Sequence, residues 1–387
     1  MAEGRRNAVI ALVTAAMFVD AVFFALIAPL LPDYSEQLSL SKLEVGLLFA
    51  AHPAGTLLCA VPAALLVQRV GARATMTLGL VALGIATIVF GFAGSLVVLA
   101  LCRFVQGASA AMVWCAGLAR LRDVAPPERR GAALGLAGSA AGAGSLVGPA
   151  FAALAAALST ELVLSGLGVF ALALCAALYA AGELPAERRA AAGEEPGSAA
   201  AGIYGIARPL GVIVVCGVVF GAVATLAPLR LDHLGVGVTG IAAIFALAAL
   251  GEIVASPLAG HFSDRVGRVP PIRFCLLAVV PLLAIQAAAD STWALAAAVA
   301  LAAAAVASLW PLGTALLADE SGDRYRSPAG VFAASVIAWS GGLAVGPLVC
   351  GALAEGAGEG VAYAVLVGAC ALALLSLKPF SALSRLS

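Results

Sequence analysis

Apolar runs of about 20 residues, the length a helix needs to cross a bilayer, recur twelve times along this chain with short polar connections between them. They fall at 8–31, 43–67, 74–93, 95–119, 131–157, 162–182, 208–230, 238–262, 270–289, 292–318, 327–353 and 360–380. The pattern predicts an all-α membrane protein of twelve transmembrane helices. One stretch breaks it. Glu183 to Ala207 carries Glu187, Arg188, Arg189, Glu194, Glu195 and Pro196 among Ala and Gly, and reads as a polar linker. The expected organisation is an N-terminal six-helix bundle over 1–182, a cytoplasmic linker over 183–207 and a C-terminal six-helix bundle over 208–387. The first run follows Arg5 and Arg6 as a signal peptide would, but it is too long for a cleaved apolar core and carries Asp20 at its middle. It is read as a retained span.

The two bundles repeat one plan. In span 5, Gly144 precedes Gly148-Pro149 by four residues, and in span 11 Gly342 precedes Gly346-Pro347 in the same way, at an offset of 198. The stretch Gln68 to Arg73, with Arg69 and Gly71, returns as Asp264 to Arg268 at an offset of 196. Repeated membrane halves of this kind point to a transporter. Small side chains let helix backbones approach closely in lipid, and a helix-interior Pro loosens its helix locally. The doubled Gly-x-x-x-Gly-Pro is therefore expected to form a seam on which the halves rock, with static packing as the alternative.

Composition supports this class. Of 387 residues, 63% are hydrophobic and 11% charged, with a mean hydropathy of +1.08. A soluble domain carries about 25% charged residues. The eight Cys all fall in apolar runs without a C-x-x-C, so they read as small packing residues rather than disulfide or metal ligands. Net charge is zero, but its distribution is lopsided. With twelve spans, Lys42 and Arg230 alone among the 21 Lys and Arg lie on the side opposite the N-terminus, and Arg103 lies within a span. The positive-inside rule then puts both termini in the cytoplasm.

Ionised side chains at mid-bilayer cost about 2.5–3.5 kcal/mol on insertion scales, so those present pair or function. Asp20 lies about 18 Å into span 1 at about 1.5 Å per residue. His52 in span 2 and Arg103 in span 4 come to nearly the same depth, so the three are expected to form one polar cluster. Asp20 is the candidate proton or cation site. Arg103, a fixed charge, either tunes Asp20 or pins span 4 by hydrogen bonds. His52 either titrates or packs as a neutral polar group. Glu252, the acid deep in the C-terminal half, is a second candidate proton or substrate site. Trp114, Trp310 and Trp339 lie inside spans, where packing is the plainer reading and a cation–π cage the alternative.

These residues carry a resemblance to the major facilitator superfamily. The segment Gly260 to Arg268, with Gly260, Asp264, Arg265, Gly267 and Arg268, matches its cytoplasmic loop motif, and Arg103 to Gly107 matches its span-4 motif. The stripe ending in Gly148-Pro149 looks like the span-5 motif of its proton-coupled antiporters. Phe18 to Tyr34 and Val45 to Gly55 look most like the twelve-span drug:proton antiporters of the vesicular-amine branch. The resemblance implies a major facilitator fold, and a loop Asp that ties helices together on the cytoplasmic side and favours the outward-open state. The chain departs from the pattern at Gln68, where that Asp would sit in the first copy, and at Ala72 for an Arg. Ala227 and Ser335 stand where the amine branch has acids in spans 7 and 11.

The expected function is multidrug-type efflux: proton-coupled antiport of small lipophilic or cationic compounds by alternating access. The proton gradient supplies the energy and no cofactor is involved. The expected partners are substrate, protons and the lipid bilayer, not nucleic acid. The chain is expected to be a monomer in a bacterial cytoplasmic (inner) membrane. A proton symporter or facilitator for a sugar or organic anion is the alternative, with Arg103 and His52 facing the anion. No Walker motif, H-E-x-x-H or Ser/Lys pair at catalytic spacing is present, so neither an ATP-driven pump nor an enzyme is expected.

Overall fold

The computed structural model describes residues 2–124, 130–181, 206–321 and 328–377. The predicted linker lies outside the described residues except for Ile206 and Ala207. Among the described residues, twelve helices are long and apolar enough to cross a membrane. Span 1 is Ala2–Ala25 continued by Ile27–Leu38; spans 2 to 6 are Lys42–Val70, Ala72–Gly91, Leu96–Val124, Arg130–Ala157 and Thr160–Ala181. Spans 7 to 12 are Ala207–His233, Val238–Val266, Val269–Ala288, Thr292–Ser321, Pro328–Gly356 and Glu359–Ser376. Twelve crossings bring the end of span 12 back to the face where span 1 begins, here the terminal face; the other is the distal face.

Local chemistry sets the element ends. Span 1 breaks at Leu26 because Pro29 has no N–H to give the carbonyl of Ala25 and its ring crowds that carbonyl. Span 2 starts with a capping box: Ser41 Oγ accepts from the Glu44 N–H, and Glu44 Oε2 accepts from the Ser41 N–H at 2.8 Å. The turns from span 2 to span 3 and from span 8 to span 9 each hinge on a glycine at positive φ, Gly71 at 87° and Gly267 at 88°. The sequence repeat is thus also a repeat of backbone conformation.

Two large buried clusters form, one centred on spans 1 to 6 and one on spans 7 to 12. Glycines decide how closely the helices within each bundle meet. A Cβ built on Gly107 would lie 1.8 Å from the His52 carbonyl oxygen, and one on Gly55 2.1 Å from that of Phe104, so spans 2 and 4 touch backbone to backbone.

The glycine stripes correct the sequence expectation in part. Gly144 and Gly148 meet Ala21 and Ala25 of span 1, at 2.5 and 2.6 Å from an added Cβ. Gly342 and Gly346 meet the carbonyls of Val214 and Val218 of span 7, at 2.2 and 2.3 Å. These motif glycines therefore pack inside their own halves and do not form the seam. The reason is steric: each lies where only a hydrogen fits against a sister helix of the same bundle. Other members of the same two stripes, Gly142, Pro347 and Gly351, do meet the opposite half, so the expectation holds for them. Gly46 of span 2 lies against the Pro347 carbonyl, Gly351 of span 11 against the Lys42 carbonyl, and Gly142 of span 5 against Ile253 of span 8.

Candidate functional site

The break in span 1 lies at the wall of a cavity of about 70 Å³ between the two halves. Phe24 and Ala28 of span 1, Phe49 of span 2 and Ser145 and Pro149 of span 5 line one side; Phe220 of span 7, Phe245 and Glu252 of span 8 and Val306 of span 10 line the other. This volume holds a few waters, and is less than half the ~150 Å³ of an apolar cavity that admits benzene. The conformation described is thus contracted around its centre.

Aromatic rings bridge the halves here. Phe24 and Phe220 stack across the boundary with centroids 6.0–6.4 Å from their ring neighbours: 6.4 Å to each other, and 6.0 Å from Phe24 to Phe49. Phe220 in turn meets Trp339 edge-on at 5.3 Å. Sequence reasoning missed these phenylalanines, although a signal existed. Phe24 and Phe220 are separated by 196 residues, as are Phe49 and Phe245, the same offset as the loop motif.

Asp20 lies one helical turn before Phe24, on the same face of span 1 and nearer the terminal face. It is 4% exposed. Trp114 Nε1 of span 4 donates to Asp20 Oδ2 at 2.8 Å, while Oδ1 has no hydrogen-bond partner. Trp114 was expected to pack or to cage a cation; it holds the carboxylate. Arg103 and His52 are both buried and within electrostatic reach of one another, and Arg103 of Asp20. No hydrogen bond joins the three among the described residues. The Arg103 Nη1 donates to Gln106 Oε1 at 3.0 Å and to the Phe23 carbonyl at 3.4 Å, and Gln106 donates to Thr87 Oγ1 at 3.0 Å. Arg103 therefore ties span 4 to span 1 and leaves its Nε and Nη2 unpartnered. The His52 ring packs 5.2 Å from that of Phe24, with Nδ1 unpartnered.

Among the described residues, Glu252 is the one ionisable residue in the cavity wall. It makes no hydrogen bond or ion pair with the described residues. Desolvation makes an unpaired carboxylate in such apolar surroundings expensive unless a cation or proton joins it.

The distal face is clamped shut between the halves. Glu359, opening span 12, accepts from Lys42 of span 2 at 2.6 Å and from Arg230 of span 7 at 3.1 Å. Glu355 accepts from the Leu43 N–H at 3.1 Å. Lys42 and Arg230 are the two cations that the charge count left on this side. Glu359→Gln is expected to release the clamp, worth roughly 1 kcal/mol for partly exposed pairs. The distal ends of spans 2 and 12 should then separate in about fivefold more molecules, read as a long-distance population by pulsed electron spin resonance between labels placed there.

At the terminal face Arg73, Arg208 and Arg268 each bind within their own half. In the second loop copy, Arg268 bonds Asp264 Oδ1 at 2.6 Å, Ser263 Oγ at 3.2 Å and Asp319 Oδ2 of span 10 at 2.9 Å. The Asp319 and Asp264 carboxylates hold the Arg268 guanidinium above its ordinary pKa. In the first copy Gln68 and Arg69 are exposed, and Arg73 reaches span 6 instead, bonding the Tyr179 carbonyl and lying 4.6 Å over its ring. Arg208 pairs with Glu320 across spans 7 and 10. Around Gly260 an added Cβ would meet nothing within 4 Å.

A family model described as Major Facilitator Superfamily matches residues 13–229 and 209–383. Over 158 residues, 38% of this chain and 32% of the relative, the sequence is 29% identical to the probable vesicular acetylcholine transporter-B of Danio rerio. Over 133 residues, 34% of this chain and 33% of the relative, it is 28% identical to multidrug resistance protein 2 of Bacillus subtilis (strain 168). The chain thus matches about a third of the length of these curated relatives. The crystal structure of the nucleoside transporter NupG superposes with a TM-score of 0.74 over 95% of this chain and 98% of that one, at 11% identity, a likeness of fold alone.

Proposed function

We propose that this chain, which belongs to the major facilitator superfamily, is a drug:proton antiporter that exports small lipophilic cations in exchange for protons by alternating access, a reading supported by its likeness to a vesicular acetylcholine transporter and a multidrug resistance protein. The observation that carries this reading is Asp20: a carboxylate buried in a membrane span, held through one oxygen by Trp114 and with the other free of partners. Such a group can be neutralised by a proton, and its neutralisation changes what span 1 offers the cavity one turn away. The distal clamp of Lys42, Arg230 and Glu359 describes one end of the cycle, closed on that side. In the other state the clamp opens, a proton reaches Asp20 from the distal side, and substrate leaves. Release of the proton toward the terminal face resets the carrier.

The proton gradient is then the energy source, without a bound cofactor. The protein acts as a monomer in a bacterial cytoplasmic membrane, with the terminal face in the cytoplasm, as the charge bias requires. An organic-anion symporter fits less well, since the ionisable group in the cavity wall is an acid, and Arg103 is engaged by Gln106 and the Phe23 carbonyl. The test is the direction of proton flow. Tetraphenylphosphonium added outside proteoliposomes is expected to make the lumen more alkaline as cation enters and protons leave. Acidification would mean symport, and no change would remove proton coupling.

A further inference from the structure

Asp20, which is buried, and Glu252, which is half-buried, do not occupy equivalent positions. At the offset of 196, Asp20 corresponds to Cys216 and Glu252 to Thr56. Each substitute serves its own bundle: Cys216 Sγ lies 2.9 Å from the Val306 carbonyl, and Thr56 Oγ1 bonds the carbonyls of His52 and Gly107 at 3.2 and 3.1 Å. Each half thus contributes one acid, from a different helix and in a different setting.

Their settings differ in what can reach them. Asp20 is enclosed, does not line the cavity, and is already engaged by an indole and in the field of a guanidinium. A proton can reach it; a bulky cation cannot without displacing Trp114. Glu252 opens onto the cavity, has no hydrogen-bond or ion-pair partner among the described residues, and shares the cavity wall with Phe24, Phe49, Phe220 and Phe245. Aromatic faces attract cations, and a carboxylate desolvated among them favours an organic cation, which sheds water more readily than a metal ion would.

We infer that Glu252 is the substrate-binding carboxylate, pairing with the head group of an aromatic organic monocation, and that Asp20 handles the proton without touching substrate. This deepens the export reading and rests on it. One carboxylate in the wall neutralises one positive charge, and the four phenylalanines offer aromatic faces from both halves once the contracted cavity widens. The head group sits at Glu252 and the ring lies between the phenylalanine pairs contributed by the two halves. Neutralising Glu252 by pairing removes the one charge exposed in the cavity, so the loaded site is free to change its access.

Phenyltrimethylammonium is the probe, because its charge is permanent and does not titrate. Binding is measured by equilibrium dialysis to the full chain in nanodiscs, and proton flow in proteoliposomes. Glu252→Gln is expected to raise the Kd at least tenfold, whereas Glu252→Asp, which keeps the charge, stays within about threefold of wild type. The dication 1,4-phenylenebis(trimethylammonium) is expected to bind at least tenfold more weakly than the monocation. Unchanged Kd in Glu252→Gln, equal loss in Glu252→Asp while that variant melts like wild type, or equal binding of the dication would overturn the assignment. If wild type exchanges protons for tetraphenylphosphonium but ignores phenyltrimethylammonium, the assignment falls and the export reading stands. If wild type moves protons against neither cation, the export reading itself falls.

Discussion

Asp20→Asn is expected to reduce uphill, proton-driven accumulation of tetraphenylphosphonium in proteoliposomes to the level of empty vesicles, with folded protein still obtained. The substitution is nearly isosteric. The Asn carbonyl oxygen takes the place of Oδ2 and accepts the Trp114 N–H, so the bond between spans 1 and 4 at 2.8 Å survives. What disappears is the capacity to gain and lose a proton, which an amide does not have near neutral pH. The NH₂ group takes the site of Oδ1, which has no partner in the native protein, and Arg103 keeps its bonds to Gln106 and to the Phe23 carbonyl. A structural role for Asp20 would instead give a protein that melts early yet still transports in whatever fraction folds. The two outcomes separate by measuring thermal melting and transport on the same preparation. Wild-type accumulation by the variant would remove Asp20 from the coupling mechanism. Trp114→Phe is the companion: it removes the donor, frees both carboxylate oxygens, and is expected to alter the pH profile of transport without abolishing it.

The spans were legible because lipid leaves so little choice. A helix must satisfy its own backbone and present apolar side chains for about 20 residues, so the run at 43–67 corresponds to Lys42–Val70 and that at 327–353 to Pro328–Gly356. Partners were not. A stripe of glycines marks a face of a helix but says nothing of which helix covers it, and Gly144 and Gly342 turned out to face spans 1 and 7 of their own bundles. Nor does depth choose between acceptors of similar reach: Arg103 took a carbonyl and Gln106, and Asp20 took an indole. The cavity phenylalanines escaped because apolar residues in apolar runs carry no contrast. Only their common spacing of 196 sets them apart.

Gly107→Ala is expected to be the most damaging conservative change in the N-terminal bundle. Its new methyl would stand 1.8 Å from the His52 carbonyl oxygen and 3.0 Å from the Thr56 nitrogen. Both are backbone atoms of a helix that cannot rotate them away. Spans 2 and 4 would have to part by more than an ångström along a contact where Gly55 presses as closely in the other direction, at 2.1 Å from the Phe104 carbonyl. Separation also lengthens the bond from Thr56 Oγ1 to the Gly107 carbonyl. Overpacking of this kind costs roughly 1–3 kcal/mol where side chains can adjust; with only backbone to move, about 3 kcal/mol or more is expected, seen as a fall in melting temperature and in folded yield. Gly368→Ala supplies the contrast. No atom lies within 4 Å of its added Cβ, so that change is expected to stabilise span 12 by roughly 0.5–1 kcal/mol through helix propensity alone. Equal melting of the two variants would show that spans 2 and 4 do not cross this closely. The placement of His52 within electrostatic reach of Arg103, which depends on that crossing, would then have to be abandoned.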